Sequence, residues 1–217
     1  MADIFFPGCK VKASYKEASR KAAAYLHQKL GINPIGCCRV NYKKLTDQDR
    51  AIVICPNCAN IIEENTPVRK LDFIWQVVDQ DPDFPFPDYG GESMTVQDCW
   101  LAVERKDVQD TVRSLMRKMN ISIVEQAEHH ERTRYCLDLL SKCSESDARL
   151  APKHYVERGA HMYTPMDDGQ KLAWLRDHCS KITTDKVVCY CKFCRDGIEM
   201  GGKLGLHLLE MLFPVAR

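Results

Sequence analysis

No stretch of this chain approaches the run of about 20 apolar residues that a membrane-spanning helix needs. Neither sign of charge dominates, since 31 basic residues stand against 30 acidic ones. No basic field therefore invites nucleic acid, and no acidic block forms a solvating tail. The opening residues MADIFFPGCK hold no basic leader and too short an apolar run for a secretory signal, which predicts a cytosolic protein. GxGxxG and P-loop patterns are missing, so no nucleotide or flavin site is evident. The ferredoxin run CxxCxxCxxxC is missing as well. What the chain has in excess is cysteine: twelve in 217 residues, a length that can bury a core without disulfide staples. In a reducing compartment such a number points to metal binding or redox chemistry rather than to structural bridges.

The cysteines follow an order that occurs twice. Strand-like IFFPG leads to Cys9, then to a helix with Tyr15, Ala18, Ala22, Tyr25 and Leu26 at helical spacing, stopped by Gly31. The extended segment INPIG, the adjacent pair Cys37–Cys38, the buried-type strand AIVI and Cys55-Pro-Asn-Cys58 with ANIIEEN follow. In the second half, SMTVQD precedes Cys99, and a helix carries Val108, Val112, Leu115 and Met119 up to Asn120. ISIVEQ, Cys136, DKVVCY and Cys191-Lys-Phe-Cys194 with RDGIEM then repeat the pattern. KLGI and KMNI are the same helix stop, because Asn shares the tolerance of Gly for the left-handed conformation. The halves end in the amphipathic segments FIWQVV and LGLHLLEMLF, with Trp75 and the leucines read as core or interface. The Pro- and acid-rich stretch around 83–93 has linker composition. Together these features predict an α/β fold of two cysteine-rich units, 1–82 and 94–217, with small parallel sheets flanked by helices.

Strand ends and helix starts gather at one edge of a parallel α/β sheet, where ligands usually bind. A CxxC at a helix start turns both sulfurs toward one centre, and free N–H groups stabilise thiolate there. Cys9, Cys37, Cys38, Cys55 and Cys58 make five thiols, one more than a tetrahedral Zn²⁺ takes. Neighbouring residues of an extended chain point to opposite faces, so adjacent Cys37 and Cys38 do not readily pair with each other. They suit a polynuclear iron–sulfur cluster, in which they bind different irons or share one.

The order C…CC…CxxC, present twice across nearly the whole chain, resembles the cysteine-rich CCG domain of the heterodisulfide reductase catalytic (B) subunit. Related domains occur in glycolate oxidase iron–sulfur subunits and the type-E succinate dehydrogenase subunit. FFPGC, GCC and ICPNC carry the likeness in the first half, TVQDCW and CYCKFC in the second. The resemblance implies a non-cubane [4Fe–4S] cluster on Cys9, Cys37, Cys38, Cys55 and Cys58, thiol/disulfide reduction or electron transfer, and an electron-donating partner protein. The glycine that follows the pair in the family is Arg39 here, and the gaps are shorter. In the second motif Tyr135 stands where the first cysteine of the pair belongs. Cys99, Cys136, Cys191 and Cys194 remain, a set for a [4Fe–4S] cubane or Zn²⁺, with Cys189 a candidate fifth ligand.

Two other readings compete. A scaffold protein would hold Zn²⁺ on four-thiolate groups, and a cluster-free oxidoreductase would use CPNC or CKFC as thioredoxin does. The fifth thiol counts against the first, the repeat against the second. Cys143 and Cys179 fall outside the pattern and are expected to be non-ligands. His129, His130 and His178 are expected on solvated faces. His154 and His161 belong to an ordered loop that covers the second site. Asp98 and Trp100, which flank Cys99, receive no chemical role.

Overall fold

The computed structural model describes residues 2–215. Two small parallel sheets, each flanked by helices, make up the α/β fold. In the first half β1 (Asp3–Phe6) is followed by helices α1 (Cys9–Ser14), α2 (Lys16–Leu30) and α3 (Cys38–Asn41), then β2 (Arg50–Val53), α4 (Pro56–Asn65), β3 (Lys70–Phe73) and α5 (Ile74–Asp79). The second half runs β4 (Ser93–Gln97), α6 (Lys106–Lys118), β5 (Ser122–Val124), α7 (Glu145–Leu150), α8 (Asp168–Ser180), β6 (Lys186–Cys189), α9 (Lys192–Met200), β7 (Leu204–His207) and α10 (Leu208–Leu212). Among the described residues no helix is long and apolar enough to cross a membrane.

The first sheet has the order β1-β2-β3 and the second β5-β4-β6-β7, all pairs parallel. INPIG adds a single bridge, Phe5 to Pro34, on the side of β1 where β5 lies against β4. Pro34 has no N–H to extend a ladder, so a strand there stops at one contact. Gly31 and Asn120 end their helices with φ of 69° and 55°, as the shared stop predicts. The amphipathic ends each divide into strand and helix: Phe73 closes β3 before α5, and His207 closes β7 before α10. Helix α8 has no apolar stripe to announce it. It buries Leu175 and Cys179, four residues apart, and starts on Asp167, whose side chain caps Gln170 N at 2.9 Å.

The last helix of each half packs on the first long helix of the other, α5 on α6 and α10 on α2. Tyr15 stacks on His207 at 4.4 Å between ring centres, and Tyr25 meets Phe213 at 5.8 Å. Ser114 donates to Asp79 at 2.7 Å, and Gln76 to Asp107 at 2.8 Å. The connecting segment is held down rather than loose. Asp81 accepts from Tyr25 and Lys29 at 2.9 and 2.6 Å, and Phe84 packs edge-on against Phe213.

Candidate metal centre

Cys99, Cys136, Cys191 and Cys194 are buried, and their sulfurs all lie within 4.8 Å of one another. Each is delivered by a chain reversal at the sheet edge. Cys99 follows β4, Cys136 precedes a 3₁₀ turn over Leu137–Leu140, and Cys191 follows β6 as the N-cap of α9, with Cys194 in the first turn. Cys55 and Cys58 occupy the same two positions at the start of α4. The expectation that each CxxC opens a helix is met in both halves.

Asp98, to which the sequence assigned nothing, ties the segments together. Its side chain is fully buried and paired with Arg113 at 2.7 Å. It accepts from the Tyr190 hydroxyl at 3.1 Å, which in turn accepts from Cys99 N at 3.0 Å. The same carboxylate accepts from His130 N at 2.8 Å, and the Asp98 carbonyl from Thr133 Oγ1 at 3.1 Å. One residue thereby links the chain at Cys99, at Cys191 through Tyr190, and at Cys136 through 130–133. A buried carboxylate needs such partners to offset its desolvation. The sequence signal is thin: an Asp beside a candidate ligand, and an Arg on the buried face of an amphipathic helix.

Burial raises the thiol pKa of Cys99 and Cys194, and that of Cys136 to about 11. Cys191 goes the other way, held low by hydrogen bonds from Cys136, Cys194 and Cys99. Four buried sulfurs within 4.8 Å of one another can hold a metal ion, which takes the place of the thiol protons.

The five thiols of the first half form an open arc. Among the described residues they do not form a group with all sulfurs within 4.8 Å of one another, as the second-half set does. The Cys38 thiol is lowered by the Cys58 hydrogen bond and the nearby Arg39 guanidinium, while burial raises Cys37. Cys9, Cys38, Cys55 and Cys58 line a cavity of about 140 Å³ whose opposite wall comes from the second half: Asp138, Asp147, Tyr155, Cys191, Lys192 and Phe193. Arg39, which follows the Cys37–Cys38 pair, crosses to pair with Asp147, and Asn57 donates to the same carboxylate at 3.1 Å. Cys9 is exposed, and with Cys37 it also opens on a groove of about 750 Å³ lined by Pro7, Ala13, Ala23, Pro34 and Ile35 together with Lys12, Lys16 and Arg20.

Cys189 lies outside the four-sulfur group, its sulfur 4.0 Å from the Val187 carbonyl. Cys179 packs into the α8–α9 contact, and Cys143 rests against Tyr163, so neither joins the sulfur groups. Tyr135 fills space: its ring stacks on His178 at 4.1 Å, and its hydroxyl is buried without a partner beside Gly197. His178 is therefore half-buried, not on a solvated face, and burial lowers its pKa to about 4. His129 and His130 are likewise half-buried, with His130 3.0 Å from Asp110. His154 pairs with Glu64 and, with His161, lines a separate pocket over Trp100. The loop containing these two histidines is ordered around a π-turn over Lys153–Glu157, and its Tyr155 reaches the first cavity.

Comparison of the chain with protein-family models, curated proteins and solved structures returns no significant match.

Proposed function

We propose that this chain is a metal-dependent redox protein of the heterodisulfide reductase-like type, with an iron–sulfur cluster on the five thiols and a single Zn²⁺ on the four. The observation that carries this reading is the contrast between the two sulfur groups. Four thiolates on one ion with bonds of ~2.3 Å stand about 3.8 Å apart, and the compact group within 4.8 Å accommodates that spacing. A cubane needs each sulfur on a different iron and hence farther apart, so the second-motif set favours zinc. The five thiols are too many for one zinc, and four of them, Cys9, Cys38, Cys55 and Cys58, line a cavity, which favours a cluster.

A cluster so held supplies one-electron chemistry. The chain's own residues do the rest. Cys38, Cys55 and Cys58 anchor from the protected side, and exposed Cys9 faces the groove by which a disulfide approaches. Reduction of that disulfide to two thiols takes two electrons, delivered singly by an electron-donating partner protein, and two protons from solvent at the open side. Electron transfer without a thiol substrate uses the same site and the same partner.

The test is iron, acid-labile sulfide and zinc per chain after anaerobic purification, for wild type and Cys38→Ala. The expected result is about four irons with one zinc, the iron falling with Cys38→Ala while zinc stays. Eight irons would place clusters on both groups. Zinc without iron or sulfide would overturn the redox reading and leave a zinc scaffold.

A further inference from the structure

The four-sulfur group is built entirely from residues 99–194, whereas the cavity lined by Cys9, Cys38, Cys55 and Cys58 is walled by both halves. The borrowed wall is not remote from the four sulfurs. Lys192 and Phe193 are the two residues between Cys191 and Cys194, Asp138 stands two beyond Cys136, and Cys191 lines the cavity itself. Lys10, the neighbour of Cys9, lies over the Phe193 ring at 4.1 Å. A metal on the four sulfurs fixes both ends of the segment that carries Lys192 and Phe193, and one end of the segment that carries Asp138. The four-sulfur group itself takes no ligand from the first half, because none of the first five cysteines contributes to it. Access differs in the same sense: all four sulfurs are buried, while Cys9 is exposed and Cys37 and Cys55 are half-buried.

We infer that the two centres fill in a fixed order, the four-cysteine site first, and that its metal shapes the wall on which the five-thiol site depends. This inference rests on the metal-binding reading above, but not on which metal either site takes. The four-cysteine site is a closed structural centre set as the chain folds, and the five-thiol site is loaded afterwards from solvent.

Metal content of anaerobically purified Cys58→Ser and Cys136→Ser tests it. Cys58→Ser should keep the metal of the four-cysteine site and lose only that of the first. Cys136→Ser should lose both. Equal, independent losses, with each variant emptying only its own site, would overturn the order while leaving two metal sites standing. Metal in neither variant nor wild type would overturn the metal reading itself. Should Cys136→Ser be insoluble, metal-free wild type titrated with Cd²⁺ gives the same answer through maleimide labelling of exposed Cys9. Cys9 is expected to stay reactive through the first equivalent and to become protected only beyond it. Protection of Cys9 by the first equivalent would refute the order.

Discussion

Asp98 is the residue on which the four-sulfur group hangs. Removing its charge leaves Arg113 buried, with the more exposed Glu125 and the Gln109 carbonyl as its remaining partners. Asp98→Ala is expected to cost about 3 kcal/mol, as for other broken buried ion pairs. It should also lower the metal affinity of the four-cysteine site, because the tie between Cys99 N, Tyr190 and 130–133 is lost. Asp98→Asn keeps the shape and should retain more of the bound metal; denaturant unfolding and competition with a chelator read the two effects separately. His178 makes a pH prediction. Burial against Tyr135 and Trp174 depresses its folded pKa from the ordinary 6.5 to about 4. A depressed histidine gives stability that is present above pH 6.5 and lost as pH falls toward 4, because the unfolded chain takes the proton first. Melting temperature should therefore fall between pH 7.5 and 5, and less steeply in His178→Phe, which keeps the stacking. An equal slope in the variant would show that other groups carry the dependence.

Among the elements, α9 bears the tightest constraint. It begins on Cys191, places Cys194 in its first turn and packs its glycines against the 3₁₀ turn after Cys136 and against α8. A Cβ on Gly197 would lie 2.6 Å from the Tyr135 hydroxyl and 3.3 Å from Leu137 Cβ. Gly197→Ala gains about 1 kcal/mol of helix propensity, but overpacking costs about 1–3 kcal/mol. Net destabilisation is expected, with the displacement falling on the segment that holds Cys136. A melting curve at or above wild type would show that Tyr135 moves aside freely. The motif CKFCRDGIEM made a helix start legible, since a cysteine pair three apart followed by spaced apolar residues fits a first turn. It could not show that Gly197 is required, because the neighbour that excludes a Cβ lies 62 positions earlier in the chain.

For the whole molecule, the exchange of end helices sets the unit of folding. Helix α5 covers α6, and α10 covers α2, so a fragment of residues 1–92 leaves the α2 face bearing Tyr15 and Tyr25 without His207 and Phe213. That fragment should be unfolded or aggregated by circular dichroism and gel filtration. A cooperative melt from it would show instead that the halves fold alone. Strand β3 runs into, and β7 lies inside, a segment that reads only as amphipathic. The sequence by itself determined the other five strands, β1, β2, β4, β5 and β6, the two helix stops at Gly31 and Asn120, the parallel α/β class and the helix-start placement of both CxxC pairs. All of these rest on local periodicity, on left-handed backbone preference and on capping, which neighbours in sequence decide. Only the tertiary structure decided that Cys99, Cys136, Cys191 and Cys194 close into one group while Cys189 stays out, because strand alternation and the Asp98 ties set where each sulfur points. It alone showed that Arg39 and Asn57 reach Asp147 across the halves, and that the cavity lined by Cys9, Cys38, Cys55 and Cys58 borrows its far wall from the second. Such contacts join residues tens of positions apart, and no local pattern in the chain encodes which of them meet.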